Sequence, residues 1–148
     1  MTEKLLNEQV TQQVRDVFQQ LKQFVALLYF SKQDGCDYCE DTRQLLEEIA
    51  ALSDKLQLTV YDFDAEQSIA KQYKVDKVPG LVIAGLDGDQ VLDYGIRLAG
   101  IPSGHEFSSL IHDLILVSDR DSGLDQKTRS YLAQLRQPVL LQVFVTPT

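Results

Sequence analysis

Apolar side chains recur at steps of three and four between about residues 3 and 22, at Leu6, Val10, Val14, Val17, Phe18 and Leu21. That spacing predicts an amphipathic helix laid on another element, with a Gln- and Glu-rich face to solvent. The pattern then becomes a short apolar run over residues 23–30, closed by Ser, Asp and Gly, which suits a strand buried on both faces. After a loop at 31–35 the helical period returns from Cys36 to about Asp54, through Leu45, Leu46, Ile49 and Leu52. Residues 56–63 are β-branched and aromatic enough for a second strand. Asp64, with Gln67 three positions on, predicts a capping box and a helix through Ile69, Ala70 and Tyr73 that ends near Lys74. Residues 80–84 predict a third strand, Asp87-Gly88 a hairpin turn, and 90–98 a fourth strand. A second capping box, Ser103 with Glu106, opens a helix carrying Phe107, Leu110, Ile111 and Leu114.

The order is therefore a helix followed by β-α-β-α-β-β-α. Crossover helices imply parallel pairing at the start, and the hairpin implies antiparallel pairing at the end. Residues 1–117 account for a mixed four-stranded α/β sheet flanked by helices. Beyond them, 119–123 is a polar linker and 125–135 has helical spacing through Tyr131, Leu132 and Leu135. Residues 138–145 repeat the apolar character of the first strand. Helix, apolar strand and polar loop are how residues 3–35 began, so 118–148 has the pattern of an incomplete second copy.

Composition narrows the partners. The 148 residues carry a formal net charge of -8, and that charge would repel both nucleic acid and anionic membrane. No run approaches the roughly 20 apolar residues of a membrane span. The polar N-terminus lacks signal-peptide character, so a cytoplasmic location is expected.

Candidate chemistry concentrates at Cys36-Asp-Tyr-Cys39, which contains both of the chain's cysteines and sits at a strand-to-helix junction. Cys36, at the positive end of the helix, is the expected nucleophile, and Cys39, one turn on and more buried, the expected resolver. Asp34, Asp37, Glu40 and Asp41 oppose further negative charge on sulfur, with Lys32 as a nearby cation. A moderately activated thiol and a reducing couple follow.

The site together with Val60-Tyr-Asp-Phe-Asp64, Val75-Asp-Lys-Val-Pro79, Tyr94-Gly-Ile-Arg97 and Gly100-Ile-Pro-Ser-Gly-His-Glu-Phe107 resembles the N-terminal unit of the protein disulfide oxidoreductases of archaea and thermophilic bacteria, the glutaredoxin-like proteins. Val143-Phe-Val-Thr-Pro-Thr148 resembles the segment leading into that family's second C-x-x-C. The resemblance implies a thioredoxin fold, two tandem units in the family, and oxidation, reduction and isomerisation of protein disulfides. It also implies no bound cofactor, and a thioredoxin-reductase-like flavoprotein as electron donor. X-Pro bonds are cis in only about 5% of cases, yet the resemblance implies a cis bond at Val78-Pro79, with the Val78 peptide facing the cysteines and offering strand-like hydrogen bonds to substrate. Tyr38 would shape the site. The Pro-Tyr between cysteines and the clamp before the last helix that glutathione-using glutaredoxins carry are not evident, which favours protein substrates.

Plainer readings stand beside these. A zinc site needs four ligands, and Cys36, Cys39, His105 and His112 are poorly spaced for it. A non-catalytic docking or redox-sensing module is the rival function. His105 reads as a residue of a capped helix, His112 as surface, and the Glu47-Glu48 pair as a solvated helix face. No buried acid precedes the site, since Leu28, Tyr29 and Phe30 are uncharged. The 138–145 run either adds a fifth strand or leaves an apolar edge able to recruit a second chain, giving a homodimer.

Overall fold

A computed structural model describes residues 3–146. The chain runs α1 (Glu8–Phe18), β1 (Val25–Ser31), α2 (Cys39–Ala50), β2 (Leu56–Asp62), α3 (Gln67–Gln72), β3 (Gly80–Asp87), β4 (Gln90–Ala99), α4 (His105–Asp119) and α5 (Gln126–Leu132). The four strands lie in the order β2-β1-β3-β4. β1 pairs parallel to β2, while β3 runs antiparallel to both β1 and β4. This is the thioredoxin fold that the element order implied.

β1 occupies the middle of the sheet, and Val25 through Phe30 are all buried, as a continuous apolar run requires. Alternation divides them. Val25, Leu27 and Tyr29 pack with Val14 and Phe18 of α1, Leu45, Leu46 and Ile49 of α2, and Leu110, Leu114 and Val117 of α4. Ala26, Leu28 and Phe30 face the other way, with Ala70 of α3 and with Tyr61, Phe63 and Tyr73. Helices thus cover both faces, three on one and α3 on the other.

Several helix starts differ from the expectation, each for a local reason. Asn7 accepts the Val10 N–H at 2.9 Å, so α1 begins at Glu8 rather than near residue 3. The segment before it is held instead by Glu48, whose carboxylate accepts the N–H groups of Leu5 and Leu6 at 3.0 and 2.9 Å. Glu48 is therefore an anchor and not part of a solvated face. The Asp64 capping box does not form. Asp62 accepts the N–H groups of Asp64 and Ala65, Glu66 reaches back to the Asp62 N–H, and α3 starts only at Gln67. Nor does Ser103 cap α4: Gly104, at φ +63°, takes the N-cap position.

The hairpin turns through Gly88 and Asp89, with Asp87 opposite Gln90. At the far end, Arg120 adopts a left-handed conformation after α4 and donates to the carbonyls of Val117, Phe24 and Leu86. Buried Ser118 accepts the N–H groups of Lys22 and Gln23 and donates to the Gln23 carbonyl. α4 is thereby clasped to the entrance of β1.

The strand expected at 138–145 is not formed among the described residues. Those residues join no sheet and stay exposed, with Leu141 at 85% and Phe144 at 89%. An apolar strand of this kind needs a neighbouring edge, and the β4 edge lies across a cleft of about 1110 Å³ from it. The helix expected over 125–135 is shorter, Gln126–Leu132, capped by Asp125 through the Thr128 N–H at 2.7 Å.

Candidate functional site

Cys36 and Cys39 are joined by a disulfide, with Cα atoms 5.5 Å apart. The chain leaves β1 at Ser31, turns through Gly35 at φ +72°, and presents Cys36 half-buried at the C-terminal end of the sheet's central strand. A glycine suits that turn because other residues enter the left-handed region only at a cost. Helix α2 begins at Cys39 rather than Cys36, with Tyr38 as an N-cap that makes no side-chain capping bond. Residues 36–38 form a turn instead, in which the Cys39 N–H reaches the Cys36 carbonyl only at 3.5 Å. Cys36 therefore still lies at the positive end of α2, just ahead of it.

The two sulfurs have unlike surroundings. Cys39 is buried at 3% exposure, whereas Cys36 is partly open to solvent. Tyr38 between them is exposed. The Val78-Pro79 peptide is cis and directly precedes β3, whose first residue, Gly80, sits opposite Phe30. Because β3 runs antiparallel to β1, that register brings Pro79 to the same end of the sheet as Cys36. The Gly100 N–H donates to the Pro79 carbonyl at 2.9 Å, and Pro79 is buried with Val78 partly exposed. All five residues singled out by sequence thus share one end of the molecule.

Charge around the pair is negative. Asp34, Asp37, Glu40 and Asp41 are all exposed. Lys32 is turned away: its ammonium lies 3.1 Å from Asp64 and over the Phe63 ring. Arg43 is paired with Glu47 one turn on. His105 and His112 are exposed, and the described residues hold no group of three or more His, Cys, Asp or Glu able to hold a metal ion.

Sequence reasoning missed the polar layer beneath the disulfide. The Tyr29 hydroxyl, fully buried, donates to the Cys39 carbonyl at 2.6 Å. Buried Thr42 donates to the Tyr38 carbonyl, also at 2.6 Å. Burial pushes the Tyr29 phenol up to about 12, against a lowering contribution from the Thr42 hydroxyl, so it stays protonated at neutral pH. In a run as apolar as 25–30, a tyrosine hydroxyl at an inward position was the available signal, since buried phenols usually find a partner.

Residues 31–111 match the family model for the thioredoxin domain. A protein disulfide oxidoreductase from Aeropyrum pernix K1 superposes with a TM-score of 0.75 at 26% identity, covering 91% of this chain and 56% of that one. The alkylhydroperoxide reductase AhpF from Enterococcus faecalis gives 0.77 at 28% identity, over 88% and 61%. Among curated proteins, an NADH dehydrogenase of Bacillus subtilis is 29% identical over 83% of this chain but only 21% of its own length. An alkyl hydroperoxide reductase component of Pseudomonas aeruginosa is 34% identical over 62% and 15%. The chain thus spans less than two thirds of each of these relatives. No helix among the described residues is long and apolar enough to cross a membrane.

Proposed function

Since the chain belongs to the thioredoxin-domain family, we propose that it exchanges disulfides of protein substrates, with Cys36 attacking and Cys39 resolving. Thiol-disulfide redox chemistry is the general class of this fold with its paired cysteines and oxidoreductase relatives. The observation that carries the finer reading is the contrast between an accessible Cys36 and a buried Cys39. In the reduced form, the Cys36 thiolate attacks a substrate disulfide and one substrate sulfur leaves. Cys39 then attacks Cys36 Sγ, releasing the second substrate sulfur and closing the protein disulfide. Two electrons pass to the substrate, and a reductase must return them. A flavoprotein-type donor suits that step, in keeping with relatives named as reductases. Tyr38 and the Val78-Pro79 peptide, at the same end of the sheet, would form the wall against which the substrate backbone lies. Residues 118–148 would begin a second unit of the same kind, with 138–145 as its first strand.

Insulin reduction driven by dithiothreitol tests the reading. Wild type should accelerate turbidity and Cys36→Ser should not. Equal rates would favour a docking module instead.

A further inference from the structure

Opening the disulfide removes the covalent tie that fixes Cys39 relative to Cys36, and little else caps the turn that holds it. Tyr38 offers no side-chain cap, and the Cys39 N–H contact to Cys36 is long at 3.5 Å. The Thr42 N–H reaches the Tyr38 carbonyl at 3.0 Å, and two hydroxyls add to that bond. Tyr29 grips the Cys39 carbonyl from β1, and Thr42 grips the Tyr38 carbonyl from within α2. Tyr29 is itself fully buried in the middle of the sheet, opposite Val60 of β2 and Leu81 of β3. We propose that Tyr29 is the positioning residue for the resolving step: its hydroxyl bond to the Cys39 carbonyl, backed by Thr42, holds the Cys39 thiol in attacking range while Cys36 is engaged in a mixed disulfide. An intramolecular attack depends steeply on such placement. The first attack, by Cys36, needs no such tether. The proposal rests on the redox reading above and assigns Tyr29 no contact with the reacting sulfurs.

The test oxidises the fully reduced protein with glutathione disulfide. Cys36 takes one glutathionyl sulfur and releases one glutathione. Cys39 then attacks Cys36 Sγ, the second glutathione leaves, and the protein has lost two electrons to the oxidant. Acid quenching and intact-mass spectrometry follow the glutathionylated intermediate. Tyr29→Phe keeps the ring and loses only the hydroxyl. It should lengthen the intermediate's lifetime about fivefold, the size expected for one hydrogen bond, and leave the rate of its formation unchanged. A purely structural tyrosine would lower the melting temperature without separating the two rates. A folded Tyr29→Phe protein with a wild-type lifetime overturns the proposal. Should that variant fail to fold, Thr42→Val against Thr42→Ser decides: the valine must prolong the intermediate and the serine must not, and equal lifetimes overturn it. If the wild type never closes its internal disulfide, the redox reading itself fails. Closure at equal rates in wild type and Tyr29→Phe leaves that reading intact and removes this one.

Discussion

Glu48 illustrates how a single carboxylate can organise an otherwise loose segment. Burial alone would push its carboxyl up, but the Gln44 amide and the N–H groups of Leu6 and Leu5 outweigh that and hold it below the usual range. A carboxyl lowered on folding stabilises the protein above its unfolded pKa and loses that contribution as pH falls through the folded value. Glu48→Ala should therefore cost about 1–2 kcal/mol at neutral pH, the range of a partly exposed charged hydrogen bond. The difference from wild type should shrink as pH falls below the ordinary glutamate range and through the lowered folded value, where the wild-type carboxyl itself becomes protonated. Chemical denaturation at neutral and acid pH measures both. Nothing in the sequence pointed here, because the partners of Glu48 lie 42 and 43 residues away and are backbone groups. Tyr29 escaped for the same reason: its apolar setting was legible in residues 25–30, but its partner was a carbonyl. Cys36 and Cys39 were legible because their chemistry is carried by identity and spacing alone.

At the level of elements, β3 is the most exacting. A methyl added at Gly80 would lie 2.5 Å from the Lys77 carbonyl oxygen and 2.7 Å from Val75, and the first of these is backbone that cannot yield as a side-chain tip would. Gly80→Ala should thus cost about 1–3 kcal/mol by overpacking and displace the strand start that carries Pro79. A lowered melting temperature together with slowed insulin reduction is the expected result; full retention of both would contradict it. The strands, their order and the hairpin were readable from period and turn chemistry, since burial on both faces leaves an uninterrupted apolar run. Helix starts were less so. Asp64 and Ser103 each had the spacing of a capping box, but Glu66, which reaches back to the Asp62 N–H, and Gly104 hold the N-cap positions. Spacing nominates a cap, and only the path of the preceding loop decides which residue serves.

For the molecule as a whole, the exposed surface of consequence is 138–145. Val139, Leu140, Leu141, Val143, Phe144 and Val145 together expose an apolar run beside the β4 edge, and such runs recruit partners. The 148-residue chain should therefore self-associate in light scattering, whereas a chain ending at Arg120 should be monomeric with an unchanged melting temperature, since α5 contributes no buried residue. A monomeric 148-residue protein would remove the expectation. The sequence marked this segment as a strand from its composition, but composition does not supply an edge to pair with.

The clasp at Ser118 and Arg120 has a mechanical meaning. It seizes the chain at Gln23, Phe24 and Leu86, which lie at the entrance of β1 and near the exit of β3, while the cysteines and Pro79 sit at the opposite ends of those strands. A pull on anything attached beyond residue 120 would enter the sheet there and be borne as shear along the seven-residue length of β1, a span of about 23 Å. Load entering at the clasp would thus reach the sheet at the end remote from the disulfide.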